Sequence, residues 1–253
     1  MKQWIGTLTI GAVLALAQCG VASAGAFEDG QAAYQRGDYA TAMRFLHPLA
    51  DEGHARAQFN LGQMYAGGQG VAEDFAQAMA WYRKAADQGD AAAENGVGFL
   101  YEHGRGVAQD FGQAMSWYRK AADQGYAPAQ SNVGSLYWDG HGVPQAYDEA
   151  VEWYRKAVVQ GNAIAQDNLG YAYATGHGVA QDFAQAMIWY RKAADQGNAV
   201  AQSDIGALYE HGQGVPRDLG QALAWYRKAA DQGKSGAIAA VKRLSSLSAA
   251  KTK

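Results

Sequence analysis

The chain has 253 residues, 49% of them hydrophobic and 18% charged, with 21 basic against 24 acidic side chains. A formal net charge of −3 excludes the broad basic footprint of a nucleic-acid binder, and a single cysteine excludes an intramolecular disulfide framework or a multi-cysteine metal site. Glycine stands out at 32 residues beside only 4 prolines, a balance that fits neither collagen nor Pro/Gly-rich disorder.

Residues 1–24 read as a signal peptide. Lys2 gives a positive start, Ile5 to Ala17 is a mostly apolar run, and Ala22-Ser23-Ala24 offers the small-x-small pattern of a cleavage site. The run is shorter than the roughly 20 apolar residues of a membrane-spanning helix, and no other stretch approaches that length. Cleavage after Ala24 leaves a thiol-free chain suited to the periplasm or to secretion. Leu16-Ala17-Gln18-Cys19 offers a second route, processing as a lipoprotein at Cys19, although the large Gln18 replaces the usual small residue.

Beyond the leader, one repeat explains the chain. Trp81, Trp117, Trp153, Trp189 and Trp225 are spaced by 36 residues, and each opens a Trp-Tyr-Arg-Lys tetrad. Gly62, Gly68, Gly70 and Gly89 recur in the same phase through Gly206, Gly212, Gly214 and Gly233. Residues 25–52 form a shorter, atypical unit, with Phe45 in the tryptophan phase, and residues 53–233 form an array of five copies. Residues 234–248 read as a capping helix with Ile238, Val241, Leu244 and Leu247 as its apolar stripe, and 249–253 as a disordered tail. Lys242, Arg243, Lys251 and Lys253 give it the polar outer side that the end of a repeat array needs.

Each copy predicts two helices. The first runs from about Ala55 to Ala66 and buries Ala57, Leu61, Met64 and Tyr65, with Gly62 letting the partner helix approach. The loop Gly68-Gln69-Gly70-Val71 follows, its glycines permitting positive φ. The second runs from Asp74 to Ala86, with Asp74 and Gln77 as a capping-box-like start and Gly89 as its stop. Asp110, Asp182 and Asp218 repeat the cap, and Ala146 breaks the series, so the third copy has the weakest helix start.

The string Ala57-Gln58-Phe59-Asn60-Leu61-Gly62, with Tyr65, Gly68-x-Gly70-Val71, Asp74-Phe75, Ala78 and Trp81-Tyr82-x-Lys84-Ala85-Ala86, resembles the Sel1-like repeat, a relative of the tetratricopeptide repeat. The resemblance covers 53–233, with 25–52 as a tetratricopeptide-like N-terminal cap. It implies an all-α, right-handed superhelical α-solenoid of helix-turn-helix units whose first helices line a concave groove. It also implies a non-enzymatic scaffold or adaptor for a protein or peptide in signalling, envelope or host-interaction work. An alternative is a cell-wall-ligand binder or a β-lactam-hydrolysing enzyme, as described for cysteine-rich Sel1-like proteins, but the paired cysteines of those repeats are missing here.

The tryptophan-tyrosine pairs recur in every copy, which points to packing between neighbouring helices. Partner contacts are sought where the copies differ, on the first helices opposite Ala57, Leu61 and Tyr65. That stripe nominates Phe59, Asn60, Gln63, Phe99, Glu102, Asn132, Ser135, Trp138, Asn168 and Tyr171 for protein or peptide binding. Asn60, Asn132 and Asn168 share one phase, and related tetratricopeptide repeats use such amides to grip a peptide backbone. Trp138 is the sharpest candidate, because its equivalents are Ala66, Glu102, Ala174 and Glu210. Contact with a partner and a local contact in the uncapped third copy both stay open for it. His103 and His211 share one phase and His141 and His177 another, with no third ligand in register. Nucleophile-elbow, phosphate-loop and HExxH motifs are missing, so neither a catalytic residue, a metal nor a cofactor is expected.

Overall fold

The computed structural model describes residues 25–251, so the leader and Cys19 lie outside the described residues. Among the described residues the chain is all-α: α1 (25–35), α2 (Tyr39–Asp51), α3 (Ala55–Gly67), α4 (Phe75–Ala86), α5 (Ala91–His103), α6 (Phe111–Asp123), α7 (Ala127–Asp139), α8 (Tyr147–Val159), α9 (Ala163–Thr175), α10 (Phe183–Asp195), α11 (Ala199–His211), α12 (Leu219–Asp231) and α13 (Ser235–Lys251). Each repeat is a helical hairpin of a first helix A and a second helix B, the helix-turn-helix unit of an α-solenoid. The described chain divides into two compact units, one ending at Trp117 and one beginning at Tyr118.

In the first unit α3 packs on α4, and α4 on α5. Gly62 explains the close approach within the first of these pairs, since a Cβ there would collide with the Tyr82 ring. Trp81 is buried beside Leu46, Leu61 and Met64, in the core of the preceding helices, and Lys84 caps its ring at 3.7 Å. The packing role expected of the tryptophans is therefore met here. Two polar links tie adjacent repeats. Gln88 Nε2 donates to Gln58 Oε1 at 2.8 Å, and Arg83 Nη2 donates to the Tyr101 hydroxyl at 2.5 Å. The loop glycine Gly106, at φ 68°, has its Cβ position only 2.6 Å from the Phe75 carbonyl carbon, so a side chain there would push the loop off the previous B helix.

The second unit repeats these devices. Tyr154 sits where a Cβ of Gly134 would be, 2.6 Å away, and Tyr190 and Tyr226 do the same at Gly170 and Gly206. Gln160, Gln196 and Gln232 donate to Gln130, Gln166 and Gln202 at 3.0, 2.8 and 2.9 Å. Loops are closed by a backbone bond across nine residues, as from the Asp182 amide to the Tyr173 carbonyl at 2.9 Å. The B-helix starts follow the caps: Asp182 Oδ1 accepts from the Ala184 and Gln185 amides, as Asp74 does from Ala76 and Gln77. The amide that the reciprocal half of the expected box would satisfy is already used, since Asp74 N–H donates to the Tyr65 carbonyl at 2.9 Å while the Gln77 side chain stays exposed. Ala146 holds the same backbone angles as Asp74, φ −149° and ψ 98°, and caps nothing.

Helix α13 departs from its expected form. It continues to Lys251, past 248, consistent with the high helix propensity of Ala249, Ala250 and Lys251. Its inner face is Ala237, Ala240 and Leu244 with Val241 beside them, whereas Ile238 is exposed and the Leu247 side chain lies outside the described ones. Small residues on that face let α13 lie close on α12. Arg243 is not a solvating charge. It forks onto the buried Glu210, Nη1 to Oε1 at 2.6 Å and Nη2 to Oε2 at 2.9 Å, and Tyr226 donates to the same carboxylate at 3.0 Å. These donors hold the Glu210 carboxyl below its usual range.

Two stability effects follow. Ala146→Asp should supply the missing cap of α8 and raise stability by about 0.5–2 kcal/mol. Gly134→Ala should lower it by about 1–3 kcal/mol, because the added methyl displaces the Tyr154 ring. Urea denaturation of the two variants should move the midpoint in opposite directions.

Candidate functional site

The variable stripe of the A helices is less solvated than its position in sequence implies. In the first unit, Asn60 is only 8% exposed and its Nδ2 is enclosed without a hydrogen-bond partner. This corrects the expectation that Asn60 faces open groove or solvent. Phe59 leans half-buried on the Tyr82 ring at 5.8 Å, so this stretch of α3 is covered by its own B helix. Gln63 is half-buried. Phe99 is 40% exposed and stacks on His103 at 4.1 Å, with the Arg105 guanidinium 5.8 Å from its centroid. Glu102 is half-buried, and its carbonyl accepts from Gln109 Nε2 at 2.7 Å.

The second unit gathers its candidates more tightly. Trp138 meets Tyr147 edge-on at 4.8 Å, Tyr171 at 5.7 Å, His177 at 5.9 Å and Tyr154 at 6.3 Å, and His177 stacks on Tyr147 at 4.6 Å. Its ring therefore covers Tyr147, the first residue of the uncapped α8, which is the local contact left open above. Tyr171 remains 49% exposed at the edge of this cluster. Ser135 Oγ donates to the Ser131 carbonyl at 3.2 Å and accepts from the Tyr154 hydroxyl at 3.5 Å. Asn132 and Asn168 are half-buried. Sequence reasoning did not nominate Tyr147, and it weighed His177 only as a metal ligand in phase with His141. The signal for Tyr147 is that it stands in the phase of Phe75, Phe111 and Phe183 with a hydroxyl added.

Two carboxylates complete this face. Asp167 on α9 is 9% exposed, and its Oδ1 is enclosed with no hydrogen-bond partner. Burial, with the charge of Asp204 added to it, pushes the Asp167 carboxyl up to about 7, against a smaller pull down from Lys234. Burial likewise pushes Asp204 on α11 up to about 6, offset by Lys234 and by a hydrogen bond from the Tyr190 hydroxyl. Tyr190 itself is pushed well above the usual phenol range, by burial first and then by the two carboxylates. Both acids replace neutral residues: the equivalents of Asp167 are Phe59, Asn95, Ser131 and Ser203, and those of Asp204 are Asn60, Gly96, Asn132 and Asn168. That substitution was visible in the sequence, but the desolvation that gives it meaning was not. Among the described residues, no group of three His, Cys, Asp or Glu side chains converges to hold a metal.

The sign of the pH effect follows from these shifts. A carboxyl raised in the fold from 3.8 to about 7 favours folding while protonated, and that contribution drains away as pH climbs from about 4 to about 7. Asp167→Asn should therefore stabilise the protein at pH 8, by about 1–3 kcal/mol, and leave it little changed near pH 4. Thermal melts at the two pH values check this, and equal differences at both would contradict it.

Comparisons with known proteins bear on the whole repeat array. The Sel1 repeat model matches residues 15–54, 55–90, 91–126, 127–162, 163–198 and 199–234, the first segment taking in the short opening unit. Among solved structures, a protective antigen present in uropathogenic Escherichia coli strains is 35% identical with a TM-score of 0.72, over 91% of this chain and 50% of that one. This chain thus spans half the length of that protein. A Sel1 repeat protein from Oxalobacter formigenes is 34% identical with a TM-score of 0.77, over 85% of this chain and 86% of that one. An immunity protein from Pseudomonas aeruginosa, at 24% identity and a TM-score of 0.54 over 73% of this chain and 68% of that one, shares the fold. A comparison with curated proteins gave no match. With the helical hairpins, the glycine-tyrosine contacts and six matched segments in one register, the chain belongs to the Sel1 repeat family.

Proposed function

We propose that this chain is an exported, non-enzymatic scaffold that holds a protein or peptide partner against its A helices, in signalling, envelope or host-interaction work. The observation that carries the reading is where the repeats differ. Their packing residues recur copy after copy, and the departures collect on the A helices, with Trp138, Tyr171, Asp167 and Asp204 in the second unit. Sel1 repeat proteins are commonly protein-interaction scaffolds, which supports it. Exposed aromatics next to packed ones suit a contact in which a partner finds a preformed apolar surface at little entropic cost. Export rests on the pattern of residues 1–24, with release to the periplasm or beyond after Ala24.

Tyr171 is the residue to test first, since it is exposed and its truncation spares the core. Crosslinking in cells, followed by isolation of the mature protein, should recover a discrete partner. Tyr171→Ala and Trp138→Ala should each weaken the purified complex by about tenfold or more, the range of an interface hot spot. Unchanged affinity in both variants, or the recovery of no partner, would defeat the proposal.

A further inference from the structure

The scaffold reading leaves the chemistry of the partner open, and the second unit narrows it. On α9, Ile164, Asp167 and Tyr171 lie three and four residues apart and share one face. On α11, Val200 matches Ile164 one repeat later, and Asp204 lies four residues after it, in the phase of Asn168 and one position beyond that of Asp167. Ile164 and Val200 are 58% and 39% exposed, where the earlier repeats carry Arg56, Ala92 and Pro128. An apolar rim therefore stands on one side of the two desolvated carboxylates, and the half-exposed Tyr171 stands on the other.

The acids themselves are incompletely served. Tyr190 donates to Asp204, but Asp167 Oδ1 accepts from nothing, and Lys234 acts on both carboxylates from beyond ion-pair distance. Ionised, the pair carries two negative charges against one nearby positive charge, which leaves room for one more cation with N–H donors. A buried, unpaired acceptor is a standing cost that such a donor would remove.

We propose that the Asp167–Asp204 face of the second unit receives a lysine or arginine side chain of the partner, whose apolar neighbours cover Ile164 and Val200. The inference rests on the scaffold reading and specifies the partner's chemistry. A turn of the Asp167 side chain brings the enclosed Oδ1 to the incoming cation, which completes its hydrogen bonding, and Tyr171 offers its ring to the aliphatic stem. The groups that bear on the pair's protonation are Tyr190 on α10, Tyr226 on α12 and Lys234 ahead of α13, with Tyr171 acting on Tyr190. Docking requires ionised carboxylates, so affinity should rise as pH passes from about 6 to about 8.

A displayed library of random dodecapeptides, panned on the mature protein, tests this directly. Enriched peptides should contain a Lys or Arg flanked by apolar residues. Replacing that residue by norleucine should weaken binding about tenfold, and so should Asp167→Asn or Asp204→Asn, with circular dichroism confirming that both variants stay folded. Enriched peptides that lack a cation, or that bind both asparagine variants as well as the parent, would overturn this assignment and leave the scaffold reading standing. No enrichment of any peptide would overturn both.

Discussion

Everything in this structure depends on a tyrosine ring filling the space of a missing side chain. In four repeats the glycine of helix A and the tyrosine of helix B meet at a separation no Cβ tolerates, from Gly62 and Tyr82 to Gly206 and Tyr226. The contact brings the two helices of the hairpin together and offsets the roughly 1 kcal/mol that a mid-helix glycine costs. It also brings the phenol to a polar residue of its own A helix or of the next one. The hydroxyl of Tyr154 reaches Ser135, that of Tyr190 reaches Asp204, and that of Tyr226 reaches Glu210. In the second unit the tyrosine that packs a hairpin thus also supplies a polar group to the residues that distinguish one hairpin from the next.

This arrangement gives the A-helix face its chemistry. A carboxylate placed there is not a surface charge, because rings and neighbouring helices strip away its water. Glu210 resolves that cost through Arg243, Asp204 does so in part through Tyr190, and Asp167 does not resolve it. The three acids share a scaffold, and partners alone decide whether each is held charged or drawn toward neutrality. The same logic places Trp138, which occupies the phase of Glu210 and meets Tyr171, the counterpart of Arg243. One slot between successive A helices is filled by an aromatic pair in one place and an ion pair in another.

What could be read from the sequence was whatever recurs. Thirty-six-residue spacing exposed the hairpins, the aspartate caps and the gap at Ala146, because each is local or is repeated enough times to average out its surroundings. The packing role of Trp81 followed for the same reason. Burial on the variable stripe was only partly legible: Asn60 lies three residues after Ala57 and four before Met64, at the edge of the buried face, and Phe59 leaning on Tyr82 closes that stretch of α3. Arg243 was read as a solvating charge because its partner lies 33 residues away on another helix, a separation that no periodicity of a single helix reveals. Asp167 and Asp204 were visible as departures from neighbouring copies, but their meaning needed the neighbouring repeat in three dimensions.

The Glu210–Arg243 ion pair has a consequence for which helix can follow α12. Helix α13 takes the place of an A helix, and Arg243 stands in the register of Ser135 and Tyr171. A further hairpin spliced in after α12 would present Glu210 with whatever its own A helix carried at that register. Unless that residue were also a cation, a buried carboxylate would be stranded at the new junction. Earlier repeats are joined by interchangeable contacts of glutamine, arginine and tyrosine, whereas the joint between α11 and α13 is keyed by charge. Duplication is thus tolerated by the chemistry of the earlier joints, and Glu210 restricts which A helix can take its place beside α11.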